Sequence, residues 1–166
     1  MPSISNPALA EVKQKGFSLI ELLVVIVIII LLGTVSVVAL NDQRAKARDS
    51  QRISDIRQIR TALEFYRSDE GEYPVVKDPL LLGPGGAAKL CAKGSGALVL
   101  ATTPCQQETT YMANIAGDPL AGHKYFYTGT KEGFDISFST EKPSSVGPAA
   151  TYHAHSQTID TQAGNK

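Results

Sequence analysis

The stretch KGFSLIE at residues 15–21, together with the apolar run behind it, decides how this chain is organised. The run extends from Phe17 to Leu40, contains no Pro and contains one Gly, Gly33. Its few polar side chains are Ser18, Glu21, Thr34 and Ser36. A helix of about 20 apolar residues is long enough to cross the hydrocarbon core of a bilayer. The sequence therefore predicts a transmembrane helix over residues 17–40.

Glu21 does not fit an ordinary membrane anchor. A carboxylate near the middle of a bilayer costs about 2.5 kcal/mol or more, so such a group needs a partner. If the chain is cut between Gly16 and Phe17, the new α-amino group of Phe17 is a cation at the end of the same helix. In an assembly of identical helices, this amine would lie beside the Glu21 of a neighbour. A cut at this position would therefore supply a partner for Glu21 in an assembly.

The residues from Lys15 to Ile26 resemble the processing site of type IV prepilins and type II secretion pseudopilins. The resemblance implies that a prepilin peptidase cuts after Gly16 and that Phe17 becomes N-methylated. It also implies that residues 1–16 are a leader that stays in the cytoplasm. Two other interpretations remain open, a signal anchor that contains a Glu and a secretory signal peptide. The apolar run is longer than the roughly 7–15 residues of a signal peptide.

The length of the chain after the leader predicts one domain with a modest core. Removing 16 of the 166 residues leaves 150. Acidic and basic residues number 16 each, so the net charge does not indicate a nucleic-acid partner. Charge alone leaves the membrane topology ambiguous, because basic residues occur on both sides of the run. The processing motif implies a cytoplasmic N-terminus.

The two cysteines, Cys91 and Cys105, both lie beyond the apolar run. An even pair in a segment expected to leave the cytoplasm predicts one disulfide that closes a short loop. The alternative is a pair of free thiols in a cytoplasmic domain.

Residues 41–70 are predicted to form a second, amphipathic half of the same helix. No Gly or Pro occurs between Asn41 and Asp69, and good helix formers dominate. One apolar stripe recurs at helical spacing, formed by Ile53, Ile56, Ile59, Leu63 and Tyr66. The opposite, exposed face is predicted to carry Arg52, Asp55, Arg57 and Arg60. Gly71 and then Pro74 are predicted to end the helix near Glu70.

This part of the chain extends the resemblance to G-type major pseudopilins and some related bacterial pilins. The similar stretches are residues 48–59, 61–66 and 69–74. One difference is Val38, which stands where many pilins have a Pro late in the membrane half. Gly33 is then the expected weak point of the helix.

Residues 71–155 are predicted to form a small globular β domain. Gly and Pro residues favour a loop over 75–96, with a short helix near 87–92, and a first strand follows over 97–102. The resulting fold class is α+β, a long N-terminal helix packed on a small antiparallel sheet. The resemblance implies that this is the pilin fold.

The clearest hairpin joins residues 124–128 to residues 134–139. Apolar Phe134, Ile136 and Phe138 alternate with polar residues in its second strand, which is typical of a strand with one buried face. A last strand is predicted over 151–155 and a mobile polar tail over 156–166.

The sequence contains no recognisable set of catalytic residues, so the chain is not expected to be an enzyme. His153 and His155 are at a spacing that allows metal binding, but a solvated surface pair is favoured. No cofactor is predicted. The resemblance to G-type pseudopilins leaves calcium binding in the C-terminal half as an open alternative. No residue is assigned as a calcium ligand. The available carboxylates are Asp118, Glu132, Asp135 and Glu141.

The basic residues between Arg44 and Arg60 alternate with Asp42, Asp49 and Asp55. This alternation favours charge pairs between subunits or a solvated face over binding to DNA or to lipid headgroups.

The expected function is that of a structural subunit of a helical filament, either a type IV pilus or a type II secretion pseudopilus. The resemblance implies five partners: further copies of the chain, the prepilin peptidase, an assembly ATPase, a membrane platform protein and minor pilins. The chain would lie in the bacterial cytoplasmic membrane, in contact with lipid, before assembly. It would lie in an extracytoplasmic or cell-surface filament afterwards. The alternative is an uncleaved single-pass membrane protein that presents a small binding domain.

Overall fold

The structure, a computed structural model, describes residues 16–105 and 109–164. For residues 35–39 and Ser95 it describes the backbone alone. The predicted leader therefore lies outside the described residues except for Gly16. The chain divides into two compact units, residues 1–40 and residues 41–166, and each is treated by itself below.

The first unit contains the start of helix α1 (Leu19–Glu70). The helix begins two residues after the predicted start at Phe17, and the carbonyl of Ser18 accepts the amides of Glu21 and Leu22 at 3.1 and 3.2 Å. Every apolar side chain from Phe17 to Leu32 is exposed, between 44% and 81%. We find no helix in the described residues with the length and apolar character needed to cross a membrane.

The second unit contains the rest of α1, residues 41–70. Its predicted apolar stripe is confirmed, because Ile53, Ile56, Ile59, Leu63 and Tyr66 are all at most 5% exposed. The helix ends at Glu70 as predicted. Gly71 then adopts a left-handed φ of 78°, and its amide donates to the carbonyl of Arg67 at 2.9 Å.

The described part of the second unit forms an eight-stranded sheet. The strands are β1 (Val76–Leu82), β2 (Ala87–Cys91), β3 (Leu98–Leu100), β4 (Thr110–Met112), β5 (Tyr125–Gly129), β6 (Phe134–Ser139), β7 (Thr151–Ala154) and β8 (Ile159–Asp160). Their order is β3-β2-β1-β5-β6-β7-β8, and β4 pairs with β2. All pairings are antiparallel except β1 with β2, which are parallel at Leu82 and Ala87. The predicted α+β class is confirmed.

The prediction of a loop over 75–96 with a short helix near 87–92 is wrong. Both regions form strands, because β1 pairs with β5 and β2 pairs with β3. Pro79 lies inside β1, where the pairing register shifts between Val76 and Leu80. A strand tolerates Pro at such an irregularity, since no regular ladder hydrogen bond is then lost. A short 3₁₀ turn at Lys93–Ser95 follows β2.

The predicted hairpin is confirmed by β5 and β6, which pair from Phe126 with Ser137 to Gly129 with Phe134. The predicted strand at 151–155 corresponds to β7. The prediction of a tail from residue 156 is corrected, because β8 lies within it and pairs with β7 through Ile159 and Asp160.

The core of the second unit lies between the apolar stripe of α1 and the inner face of the sheet. The sheet contributes mainly aromatic side chains, namely Tyr125, Tyr127, Phe134, Phe138 and Tyr152. Tyr127 donates its hydroxyl to the carbonyl of Pro74 at 2.8 Å, which links the helix exit to β5. Burial of these large rings is the main favourable contribution to the packing of helix on sheet.

Candidate processing and assembly site

The peptide bond between Gly16 and Phe17 lies in an exposed segment directly before the first turn of α1. Residues 16–18 have no helical or strand structure, and all three are exposed. A Cβ placed on Gly16 would meet no atom of the described residues within 4 Å. Exposed, non-regular backbone is where proteolytic cleavage concentrates. The geometry therefore leaves this bond open to a peptidase.

Glu21 lies in the first turn of α1. An acidic side chain at this position interacts favourably with the partial positive charge of a helix N-terminus. Within the described residues, its carboxylate takes part in no ion pair. The single chain thus shows one local role for Glu21, at the start of the helix.

The exposed apolar side chains from Phe17 to Leu32 are here called the apolar surface, and they occur on every side of the first part of α1. A helix that is apolar all round is buried against other helices or in lipid rather than left in water. An exposed surface of this kind marks a site of association.

Five charged residues form a compact group in the second unit, which we call the arginine cluster. Its members are Arg48, Asp49, Arg52, Asp118 and Glu141. Arg52 is its centre, 0% exposed, and contacts Asp49 at 2.6 Å and Glu141 at 2.7 Å. Its guanidinium also makes two hydrogen bonds to Asp118, at 2.7 and 2.8 Å.

The remaining contacts of the arginine cluster are hydrogen bonds donated to its carboxylates. Arg48 makes two hydrogen bonds to Glu141, at 2.8 and 2.6 Å. Asp49 accepts the backbone amides of Glu141 and Lys142, the latter at 2.8 Å. Asp118 accepts the amide of Leu120 at 2.8 Å. The cluster therefore attaches the loop before β5 and the loop after β6 to the helix.

The pKa values of the cluster follow from these contacts. Hydrogen bonds from Arg48 and Arg52 outweigh burial and lower the pKa of Glu141 to about 2. Burial opposes the charged form of Arg52, but its carboxylate partners outweigh this effect and raise its pKa. Nearby, burial raises the pKa of Asp55 despite a long hydrogen bond from the Tyr125 hydroxyl.

The cluster corrects the prediction that Arg52 and Asp55 lie on the exposed face of the helix. Arg52 is 0% and Asp55 9% exposed. Asp49 and Asp55 each lie three residues from Arg52, a spacing that allows a pair on a helix, and the structure pairs Arg52 with Asp49. The other carboxylate partners, Asp118 and Glu141, are 66 and 89 residues away from Arg52, so helical spacing does not reveal them.

The four carboxylates considered for calcium are not gathered at one site. Asp118 and Glu141 bind Arg52, whereas Asp135 faces His153 and the amide of Gly164. Glu132 is exposed in the β5–β6 turn. Among the residues that the structure describes, no group of three or more His, Cys, Asp or Glu side chains is placed to hold a metal ion.

The interpretation of His153 and His155 as a solvated surface pair is wrong for His155, which is 1% exposed. Its Nδ1 lies 3.3 Å from the carbonyl of Phe134, and its Nε2 lies 3.0 Å from the carbonyl of Gln162. The chain after β7 folds back along that strand and covers the ring. His153 places Nδ1 at 2.9 Å from the Asp135 carboxylate.

The structure joins Cys91 and Cys105 in a disulfide that spans 14 residues, with Cα atoms 5.6 Å apart. Cys91 ends β2 and is 0% exposed. The bridge attaches the loop after β3 to the core of the sheet.

Replacing Cys91 and Cys105 together by Ser is expected to lower the free energy of unfolding by about 3 kcal/mol, because the bridge restricts the unfolded chain. Denaturant titration of the oxidised wild type and the double variant measures this difference. Reduction of the wild type with dithiothreitol should give the same loss. If neither treatment lowers the midpoint, the bridge does not stabilise the domain.

A family model described as the prokaryotic N-terminal methylation motif matches residues 12–37. The chain is 40% identical over 68 residues to the type II secretion system core protein G of Escherichia coli (strain K12), covering 41% of this chain and 47% of that protein. It is 37% identical over 68 residues to the protein of the same name from Aeromonas hydrophila, covering 41% and 48%.

A longer match is to the type II secretion system core protein G of Pseudomonas aeruginosa, 28% identical over 130 residues and covering 75% of this chain and 81% of that protein. The match to the first two relatives spans about half of their length. No solved structure gave a significant match. An apolar helix with a processing motif before it and a helix-on-sheet domain behind it define a pilin-like protein. The chain is similar to type II secretion pseudopilins over the matched residues, and its N-terminal motif is the one that the methylation-motif model describes.

Proposed function

We propose that this chain is a structural subunit of a helical filament, made as a precursor, cut after Gly16 and N-methylated at Phe17. The observation that carries the proposal is the match of residues 12–37 to the methylation motif. The exposed, non-helical Gly16–Phe17 bond supports it, since a peptidase needs access to this bond. The family is one of structural subunits, and the proposed role requires no catalytic residue in the chain.

Before cleavage, residues 17–40 hold the precursor in the cytoplasmic membrane, with residues 1–16 in the cytoplasm. After cleavage, the apolar surface packs against the same surface of neighbouring subunits. The Phe17 amine and the Glu21 of a neighbour then neutralise one another. An unpaired charge in a dry core is costly, so this pairing selects one axial register.

Assembly takes energy and partners from outside the chain. A separate assembly ATPase acts through a membrane platform protein, and minor pilins contribute to the filament. The names of the similar proteins favour a type II secretion pseudopilus over a type IV pilus for this subunit.

The test is intact-mass and N-terminal analysis of the protein from membranes and from sheared surface material. We expect a chain that starts at N-methylated Phe17 in both fractions. A small share in the sheared fraction would fit a short pseudopilus, and a large share would fit a pilus. A chain that keeps Met1–Gly16 in cells with an active peptidase would instead indicate an uncleaved single-pass membrane protein.

A further inference from the structure

A groove of about 780 Å³ is lined by residues between Lys46 and Phe65 of α1. Its walls are the helix, β4 at Tyr111 and Met112, and the loop at Pro143–Ser145. Phe65 at one end is 62% exposed, so the groove offers apolar as well as polar surface. Hydroxyl groups of Ser50, Ser54 and Thr61 also line it.

The charges available in the groove are basic. Its charged lining residues are Lys46, Asp49 and Arg57. Asp49 is 1% exposed and already paired with Arg52. Arg57 is exposed and forms no ion pair within the described residues. Lys46 pairs with Asp42 and keeps 52% of its side chain exposed.

The helix and its exit segment, residues 41–75, carry opposite charge at their two ends. Residues 41–60 carry six cations and three carboxylates, a formal charge of +3. Residues 61–75 carry one cation and four carboxylates, a formal charge of −3. Asp69 is exposed at the acidic end, and Val75 is 52% exposed. The acidic end therefore offers a carboxylate that complements the exposed Arg57 and an apolar side chain that matches the apolar part of the groove lining.

We propose that the basic half of this groove, from Lys46 to Arg57, receives residues 69–75 of a second copy of the chain. The carboxylate of Asp69 lies against Arg57, and Val75 packs on the apolar lining. Two different surfaces meet in this contact, so it is heterologous. Repetition of such a contact without closure builds an open helical filament rather than a dimer. The inference rests on the proposed function and names a contact between the second units of neighbouring subunits.

The first test is charge reversal in the full chain, expressed with its assembly system and scored by protein recovered in the assembled fraction. Arg57→Glu places two carboxylates at the contact and should lower recovery about tenfold, because like charges across an interface repel. Asp69→Arg should have a similar effect. The double variant Arg57→Glu with Asp69→Arg restores an opposite-charge pair and should recover most of the assembly.

Lys124→Glu is the matched control, because it makes the same charge change at an exposed position that does not line the groove. It should assemble like the wild type. Equal loss in Lys124→Glu and Arg57→Glu, or failure of the double variant to recover, would overturn the contact while leaving the filament function in place. Absence of wild-type assembly would overturn both.

Cysteine cross-linking gives an independent readout. Chains with Ser54→Cys and chains with Asp69→Cys are expressed together, and the native cysteines do not compete because they are bonded to each other. The expected product is a mixed disulfide between the two kinds of chain. Cross-links between two Ser54→Cys chains alone would indicate a symmetric contact and would contradict the proposal.

Discussion

Arg52→Met is expected to lower the free energy of unfolding of the second unit by about 3–5 kcal/mol, since it leaves buried carboxylates without their cation. Asp49 and Asp118 each expose 1% of the side chain and both contact the Arg52 guanidinium. A loss of this size is a large fraction of the stability of an ordinary domain, which is about 5–15 kcal/mol. Denaturant titration of the full chain in mild detergent, followed by tyrosine fluorescence, measures the change.

Arg48→Met is the matched control for this experiment. Arg48 contacts the same Glu141, but 29% of its side chain is exposed, and exposed ion pairs contribute about 1 kcal/mol or less. Its loss should therefore be several-fold smaller than that of Arg52→Met. Equal and small losses in the two variants would contradict the central role given to Arg52.

The same contacts give a direction for the pH dependence. The pKa of Glu141 is lowered from 4.5 to about 2 in the folded chain. A carboxylate whose pKa is lowered on folding contributes stability above its unfolded pKa and loses it as the pH falls towards the folded pKa. The wild type should therefore lose stability between about pH 4.5 and pH 2, and removal of either arginine should reduce that loss.

Glu21→Ala is expected to leave membrane insertion intact and to reduce assembled filament about tenfold or more, because the Phe17 amine of a neighbour then lies unpaired in an apolar core. Insertion is retained, since removal of a carboxylate makes the run more apolar. The two readouts are the amount of processed chain in membranes and the amount in the sheared fraction.

Glu21→Gln and Glu21→Asp separate the charge from the size of the side chain. Gln nearly matches Glu in size without its charge and should fail to assemble, whereas Asp keeps the charge and should retain part of the assembly. Wild-type yield from Glu21→Gln would show that the pairing with the Phe17 amine is not required. In that case the favourable position of Glu21 in the first helical turn would remain its only role.

Elements with a local periodic signal could be predicted from the sequence. The apolar stripe from Ile53 to Tyr66 repeats at helical spacing, and Gly71 provides the left-handed residue that ends the helix. The β5–β6 hairpin alternates apolar and polar residues across a short Gly-containing turn. The motif around Gly16 and Glu21 is also local, and the model of the prokaryotic N-terminal methylation motif matches residues 12–37.

Features that depend on distant partners could not be predicted in this way. Pro79 and the glycines near it favour a loop, yet β1 forms because β5, more than 40 residues later in the sequence, supplies its hydrogen bonds. His155 is buried because β8 folds back on β7. Composition alone indicated that the residues after 155 are a tail.

The sequence by itself determined the processing motif, the apolar helix and the face of its second half that packs on a sheet. Each depends on residues a few positions apart. The tertiary structure alone decided that Arg52 is a buried centre of charge and that Arg57 remains exposed. Both are arginines on one helix, five residues apart. Their environments differ because Asp118 and Glu141, from two later loops, reach the guanidinium of Arg52.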